Sequence, residues 1–146
     1  MLDGLDAEEF SEAFVSFVRG FGLLEQDTTP CGSPMSTAEA HAITALRADG
    51  LHQGVLGEQL GLGKSSTSRL VDGLEARGWV RRVPDPHDGR ARVLVLTDKG
   101  REVAADVIRR RAQRLSRLLE NVPTARRRAV IDALRLLTEA GRNDAP

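Results

Sequence analysis

A chain of 146 residues with one cysteine and no net charge fits a single domain, cannot form an internal disulfide and suits a reducing compartment. No apolar run approaches the ~20 residues of a membrane span, and the acidic opening MLDGLDAEEF does not read as a secretory leader, so the expected location is the cytoplasm. The zero charge hides a gradient: residues 1–60 carry 2 Lys and Arg against 10 Asp and Glu, residues 61–101 carry 9 against 5, and residues 102–146 carry 10 against 6, so the later segments can present a phosphate-binding face.

Phe10, Phe14, Phe17, Val18, Phe21 and Leu24 recur at spacings of three and four, which predicts an amphipathic helix over residues 6–25. All four phenylalanines lie on this stripe. It serves either the monomer's own core or a dimer interface. Pro30, Gly32 and Pro34 make residues 26–34 a loop. Ser36 and Glu39 then form a capping box, with Ile43 and Leu46 inward and an end near residues 49–50. A short helix over 55–60 and a turn at Gly61-Leu62-Gly63 follow. The next helix covers 64–77, with Leu70, Val71 and Leu74 inward and Gly78 as its C′ residue.

After Gly78 the apolar period changes to that of strands, over 79–83 and 92–96, with a loop at 84–91. Thr97 is expected to cap a long helix reaching about residue 119 through Val103, Val107, Leu115 and Leu118. Asn121-Val122-Pro123 breaks it. Thr124 is expected to cap a last helix to about residue 140, with Val130, Ala133, Leu134 and Leu137 inward, before a frayed tail. The expected fold class is mainly α with a small β-hairpin wing.

The chemistry gathers in the middle. VLGEQLGLGKSSTSRLVDGLEARG (55–78) is a helix, a glycine turn and a second helix packed across the first. Lys64, Ser65, Ser66, Thr67 and Ser68 give that second helix a slim, hydroxyl-rich start able to enter a major groove, and Arg69 can reach a guanine edge or a phosphate. In the hairpin, Arg81, Arg82, Arg90 and Arg92 surround an exposed tip fit for the negative potential of a minor groove. His87 at the tip can touch phosphate. Asp88 is expected to orient the Arg90 guanidinium by a charge-assisted pair. No catalytic triad or carboxylate pair sits on a recognisable elbow. GLGKSS is not a P-loop, because Glu58 stands where its first glycine would be. An enzyme is not expected.

RGWVRRVPDPHDGRARVLVLTDKG, with its Asp-x-x-Asp-x-Arg and Leu-Thr-x-x-Gly patterns, and SSTSRLVDGLEARGWV resemble the MarR family of winged helix-turn-helix regulators. The helix order matches over nearly the whole chain. The resemblance implies a ligand-responsive, sequence-specific regulator, a repressor in the first instance, acting as a homodimer on a pseudo-palindromic operator in double-stranded DNA. Residues 36–97 would form the DNA-binding lobe, and residues 6–35 and 98–142 the dimerisation region of one domain spanning 1–146. Lys64 to Arg69 would take the recognition-helix positions, Arg90 the wing-tip role and Asp88 its brace. Phe10, Phe14, Phe17, Leu118, Val130, Leu134 and Leu137 would lie at the dimer interface. No cofactor or resident metal is expected; a small apolar effector between the two regions is. Three other readings stand beside this one: a winged-helix module for protein contact, a redox sensor using Cys31, and a zinc sensor drawing on Cys31, Glu39 and His41, with His41 otherwise a partly buried helix residue.

Overall fold

The computed structural model describes residues 4–144. In chain order these form α1 (Gly4–Phe21), α2 (Thr37–Ala45), α3 (Gln53–Leu60), α4 (Lys64–Ala76), β1 (Val80–Pro84), β2 (Arg92–Leu96), α5 (Asp98–Glu120) and α6 (Thr124–Asn143). The chain divides into two units, Met1–Arg110 and Arg111–Pro146. Among the described residues no helix is long and apolar enough to cross a membrane.

The first unit holds the buried core. Ile43 of α2, Leu56 of α3, Val71 and Leu74 of α4, Leu94 of β2 and Ala104 of α5 are almost fully enclosed. Aliphatic side chains thus carry the packing, with Trp79 as its one buried aromatic. Local chemistry sets the boundaries. Ser36 Oγ accepts from the Glu39 amide and Glu39 Oε2 accepts from the Ser36 amide, closing the capping box at 3.1 and 2.8 Å. At the end of α4, Gly78 N donates to Glu75 O and Trp79 N to Leu74 O, the paired bonds of a Schellman motif, with Gly78 at φ +70°. Thr97 Oγ1 accepts from Gly100 N at 3.0 Å and so caps α5.

Several expected bounds move. α1 stops at Phe21, where Gly22 turns the chain at φ +89°, rather than at residue 25. α2 ends at Ala45, four residues before the expected stop. α3 starts earlier, at Gln53. β1 begins at Val80, since Trp79 N is engaged in the α4 terminus. The N-cap of α6 is Pro123, with no side-chain bond, so Thr124 is its first helical residue and not its cap. α6 runs to Asn143, and residues 145–146 of the expected tail lie outside the described residues. Leu70 packs on the rim of the core, half-buried.

β1 and β2 pair antiparallel with Val80 opposite Leu96 and Pro84 opposite Arg92. Leu51 adds an isolated bridge to Leu94, donating at 3.1 Å and accepting at 2.8 Å. Gly50 permits this approach: a Cβ there would run into the side chains of Val93 and Val95. Gly100 plays the same part at the foot of α5, where a Cβ would overlap the Trp79 carbonyl. Thr97 N and Oγ1 bond the Trp79 and Gly78 carbonyls at 3.0 and 2.6 Å.

The second unit buries little. None of α6 is buried; Val130, Leu134 and Leu137 are exposed and Leu118 is half-buried, so the residues expected inward have no interior here. Arg127 closes the turn between α5 and α6 by donating to the Val122 and Glu120 carbonyls at 3.0 and 3.1 Å.

Candidate nucleic-acid interface

The orientation of α4 follows from which residues α3 and the core take. Thr67, Val71 and Leu74 turn inward. Ser65 and Arg69 lie about opposite them on a 3.6-residue helix and are exposed, with Ser66 and Ser68 half-exposed at the flanks and Lys64 exposed at the start. Thr67 corrects the expected contact set: it is 2% exposed, its hydroxyl donates to Gly63 O at 2.8 Å, and it packs beside Gly57 of α3. It holds α3 against α4 and does not face outward. The outward side of the α4 start therefore carries Ser65, Ser66, Ser68 and Arg69. Arg69 also lines an open groove with Asp27 and Gln26 of the preceding loop.

The wing begins at β1, which packs against α4. Arg81, His87, Asp88, Arg90 and Arg92 are exposed. Among the described residues, the side chains of Lys64, Arg69, Arg81, Arg90 and Arg92 make no ion pair. These five cations thus have no carboxylate partner among the described residues. Arg82 has two. Its guanidinium bonds Glu75, reaches Asp72 Oδ1 at 3.2 Å and Gln53 Oε1 at 3.2 Å, and so ties β1 to α4 and α3. Arg82, expected among the DNA-contacting residues, instead has both terminal guanidinium nitrogens engaged in an internal clamp.

Asp88 is a second correction. Its Oδ1 accepts from the Arg90 backbone amide at 3.1 Å, not from the guanidinium, and Ala91 N donates to Asp88 O at 3.0 Å. Asp88 therefore shapes the loop as an Asx turn and leaves the Arg90 side chain unheld. Asp85 does the same one step earlier. It accepts from His87 N at 2.8 Å and its own amide donates to Ala91 O at 3.1 Å. The His87 amide holds the Asp85 carboxyl below its ordinary carboxylate pKa, against the upward push of burial, with the hydrogen bond and charge of His52 adding to the effect. The His52–Asp85 pair was not visible in the sequence; the two are far apart in the chain and meet where the start of α3 comes against the end of β1.

Cys31, Glu39 and His41 do not form a metal site. Glu39 is taken by Ser36 and, at 3.4 Å, by Arg77, and no group of three potential ligands is present among the described residues. His41 is exposed, not partly buried, because it lies on the outer face of α2. Cys31 is half-buried with a free thiol. On α1, Phe10, Phe14 and Phe17 are about half exposed, and stack in pairs, Phe10 on Phe14 at 6.2 Å and Phe17 on Phe21 at 5.3 Å. None of them belongs to the core cluster.

Residues 33–91 match the model of the MarR family. The chain is 30% identical over 101 residues to the uncharacterized HTH-type transcriptional regulator YdgJ of Bacillus subtilis; that match covers 68% of this chain but 62% of YdgJ, so the chain spans less than two thirds of that relative. Two solved structures extend the likeness. One is the PcaV transcriptional regulator from Streptomyces coelicolor in complex with its natural ligand, 26% identical with a TM-score of 0.62, covering 97% of this chain and 98% of that one. The other is the transcriptional repressor CouR bound to a 23-mer DNA duplex, 25% identical with a TM-score of 0.64, covering 94% of this chain and 92% of CouR.

Proposed function

Because this chain belongs to the MarR family, we propose that it is a cytoplasmic transcriptional regulator, a repressor, that reads double-stranded DNA as a homodimer and answers to a small-molecule effector. The observation that carries this reading is the pairing of an outward, hydroxyl-rich α4 face with wing cations that no acid neutralises. Phosphate contacts need such uncompensated charge, and a slim helix start lets backbone and side chains approach base edges. α4 would lie in the major groove. Arg90, Arg92 and His87 would reach the flanking minor groove and its phosphates, with Arg81 supporting from β1. CouR, held on a duplex, lends the reading support. PcaV, with its natural ligand, does so for the effector.

What the single chain leaves uncovered supports the homodimer. Phe10, Phe14 and Phe17 on α1, and Val130, Leu134 and Leu137 on α6, form apolar stripes exposed by 38% or more. Such stripes mark protein contacts, and a second copy, bringing the same surfaces, covers them symmetrically. Leu118 joins them from α5. The function is one of binding, not catalysis.

Fluorescence anisotropy on the DNA upstream of the protein's own gene, across a salt series and against a scrambled duplex, tests the reading. Tight, salt-dependent binding that prefers the native fragment is expected. Absence of binding to either duplex at low salt would move the winged lobe to a protein-contact role.

A further inference from the structure

The wing is held by more than its own ladder. His52 stands at the N-cap of α3 in extended backbone (φ −65°, ψ 146°) but makes no capping bond. Its Nε2 lies instead 2.8 Å from Asp85 Oδ2, at the point where β1 gives way to the wing loop. The next residue, Gln53, accepts from Arg82. Two successive side chains at the start of α3 therefore grip the wing root.

Asp85 is the post on which the loop turns. Its second carboxylate oxygen takes the His87 amide and its own amide closes onto Ala91 O. Whatever holds Asp85 sets where the Arg90 end of the wing stands relative to α4. The Asp85 side chain is 13% exposed and that of His52 is 48% exposed. The charged and titratable groups around them are Arg82 with Glu75 and Asp72 behind Gln53, His87 and Asp88 on the loop, and Arg92 across the ladder from Pro84. Arg82 is engaged with its own carboxylates. Among the described residues His52 is the side chain in ion-pair contact with Asp85.

We propose that His52 is a positioning residue for DNA binding: protonated, it locks the wing root to α3, so DNA affinity carries a proton-dependent component set away from the contact surface. This rests on the DNA-reading function above. An imidazole changes charge between about pH 5 and 8. The neutral ring can still donate one hydrogen bond but loses the attraction to the carboxylate. The loop is then freer, and ordering it on DNA costs more. Affinity falls as pH rises.

The chain has three histidines, His41, His52 and His87, which makes the test clean. Dissociation constants for the operator duplex are measured at about pH 6 and pH 8 at fixed ionic strength, for the wild type, His52→Gln and His87→Gln. The expected result is wild-type binding about two- to fivefold tighter at the lower pH, the span of an exposed ion pair. His52→Gln matches wild type at the higher pH and lacks the gain at the lower. His87→Gln keeps the His52 component. Retention of the full pH dependence in His52→Gln, or its complete loss in His87→Gln, overturns the proposal. The 13C resonance of the Asp85 carboxyl gives a readout without DNA: it follows the imidazole titration in wild type and is flat across that range in His52→Gln. A flat wild-type curve overturns the clamp itself. A moving carboxyl resonance with no DNA binding at either pH leaves the clamp in place and removes both the DNA-reading function and the role in affinity.

Discussion

The winged lobe and α6 are written in similar ingredients and end in opposite states. Both place Leu, Val and Ala at helical spacing, and both carry arginines along their polar faces. In the lobe, Leu56, Val71, Leu74 and Leu94 close on one another and lose essentially all contact with solvent. In α6, Val130, Leu134, Leu136 and Leu137 stay exposed and no residue is buried. The difference lies in the number of directions from which cover comes. The lobe surrounds each apolar side chain with helices and a hairpin, whereas a lone amphipathic stripe has one side and needs a second surface. Periodicity reports that a face is apolar; it does not report who covers it.

The sharpest way to break this comparison is by truncation. Leu56→Ala should destabilise the protein by about 2–5 kcal/mol in denaturant titration, as a fully enclosed leucine does, while Leu136→Ala should stay within about 0.5 kcal/mol. Equal losses would mean that α6 is covered as well as the core. Gly100→Ala comes next. The new methyl must displace the Trp79 carbonyl, at a cost of about 1–3 kcal/mol visible as a lower melting temperature. For the uncovered stripes, the double variant Phe14→Ala, Phe17→Ala should weaken self-association by about tenfold or more, read by sedimentation. A dimer that persists undiminished at the same concentrations would take these rings out of the interface.

Smaller effects probe the wing. Arg90→Ala should lower operator affinity several-fold and reduce the salt slope by about one, with melting unchanged, because its side chain makes no ion pair within the lobe. Unaltered affinity and slope would separate the wing tip from DNA. Smallest is Asp85→Asn. A carboxyl held below its ordinary pKa contributes stability that is present above the unfolded value of about 3.9 and lost as pH falls through the folded one. The variant should therefore flatten the acid limb of the stability curve below about pH 4. An acid limb identical to wild type would mean that Asp85 does not contribute to it.

Much of the fold was legible because its signals are local. The capping box at Ser36, the glycine terminus at Gly78, the cap at Thr97 and the break at Pro123 each lie within a few residues of what they control, and each stands at or beside the expected place. Thr67 was misjudged because a hydroxyl at a helix start looks the same whether its helix faces out or rests on a neighbour; the packing of α3 decides. Arg82 and Asp88 were misread for opposite reasons. Arg82 found partners on two other elements, which no spacing rule reveals, and Asp88 found its partner in the backbone two residues on, where side-chain pairing was expected. The contacts that tie the hairpin to the segment before α3, Leu51 with Leu94 and His52 with Asp85, join residues distant in the chain. They depend on the tertiary fold being in place.

The close approach of Gly100 to the Trp79 carbonyl, which a Cβ would block, ties two elements together. Thr97 bonds both carbonyls that end the α4 terminus, Lys99 reaches the Arg77 carbonyl at 3.2 Å, and Gly100 leaves no gap through which the two could slide. The last turn of α4, the root of β1 and the first turn of α5 are thus joined through three successive carbonyls, those of Arg77, Gly78 and Trp79. A rotation at the foot of α5 would therefore bear directly on the last turn of α4, the helix whose other end carries Ser65 and Arg69.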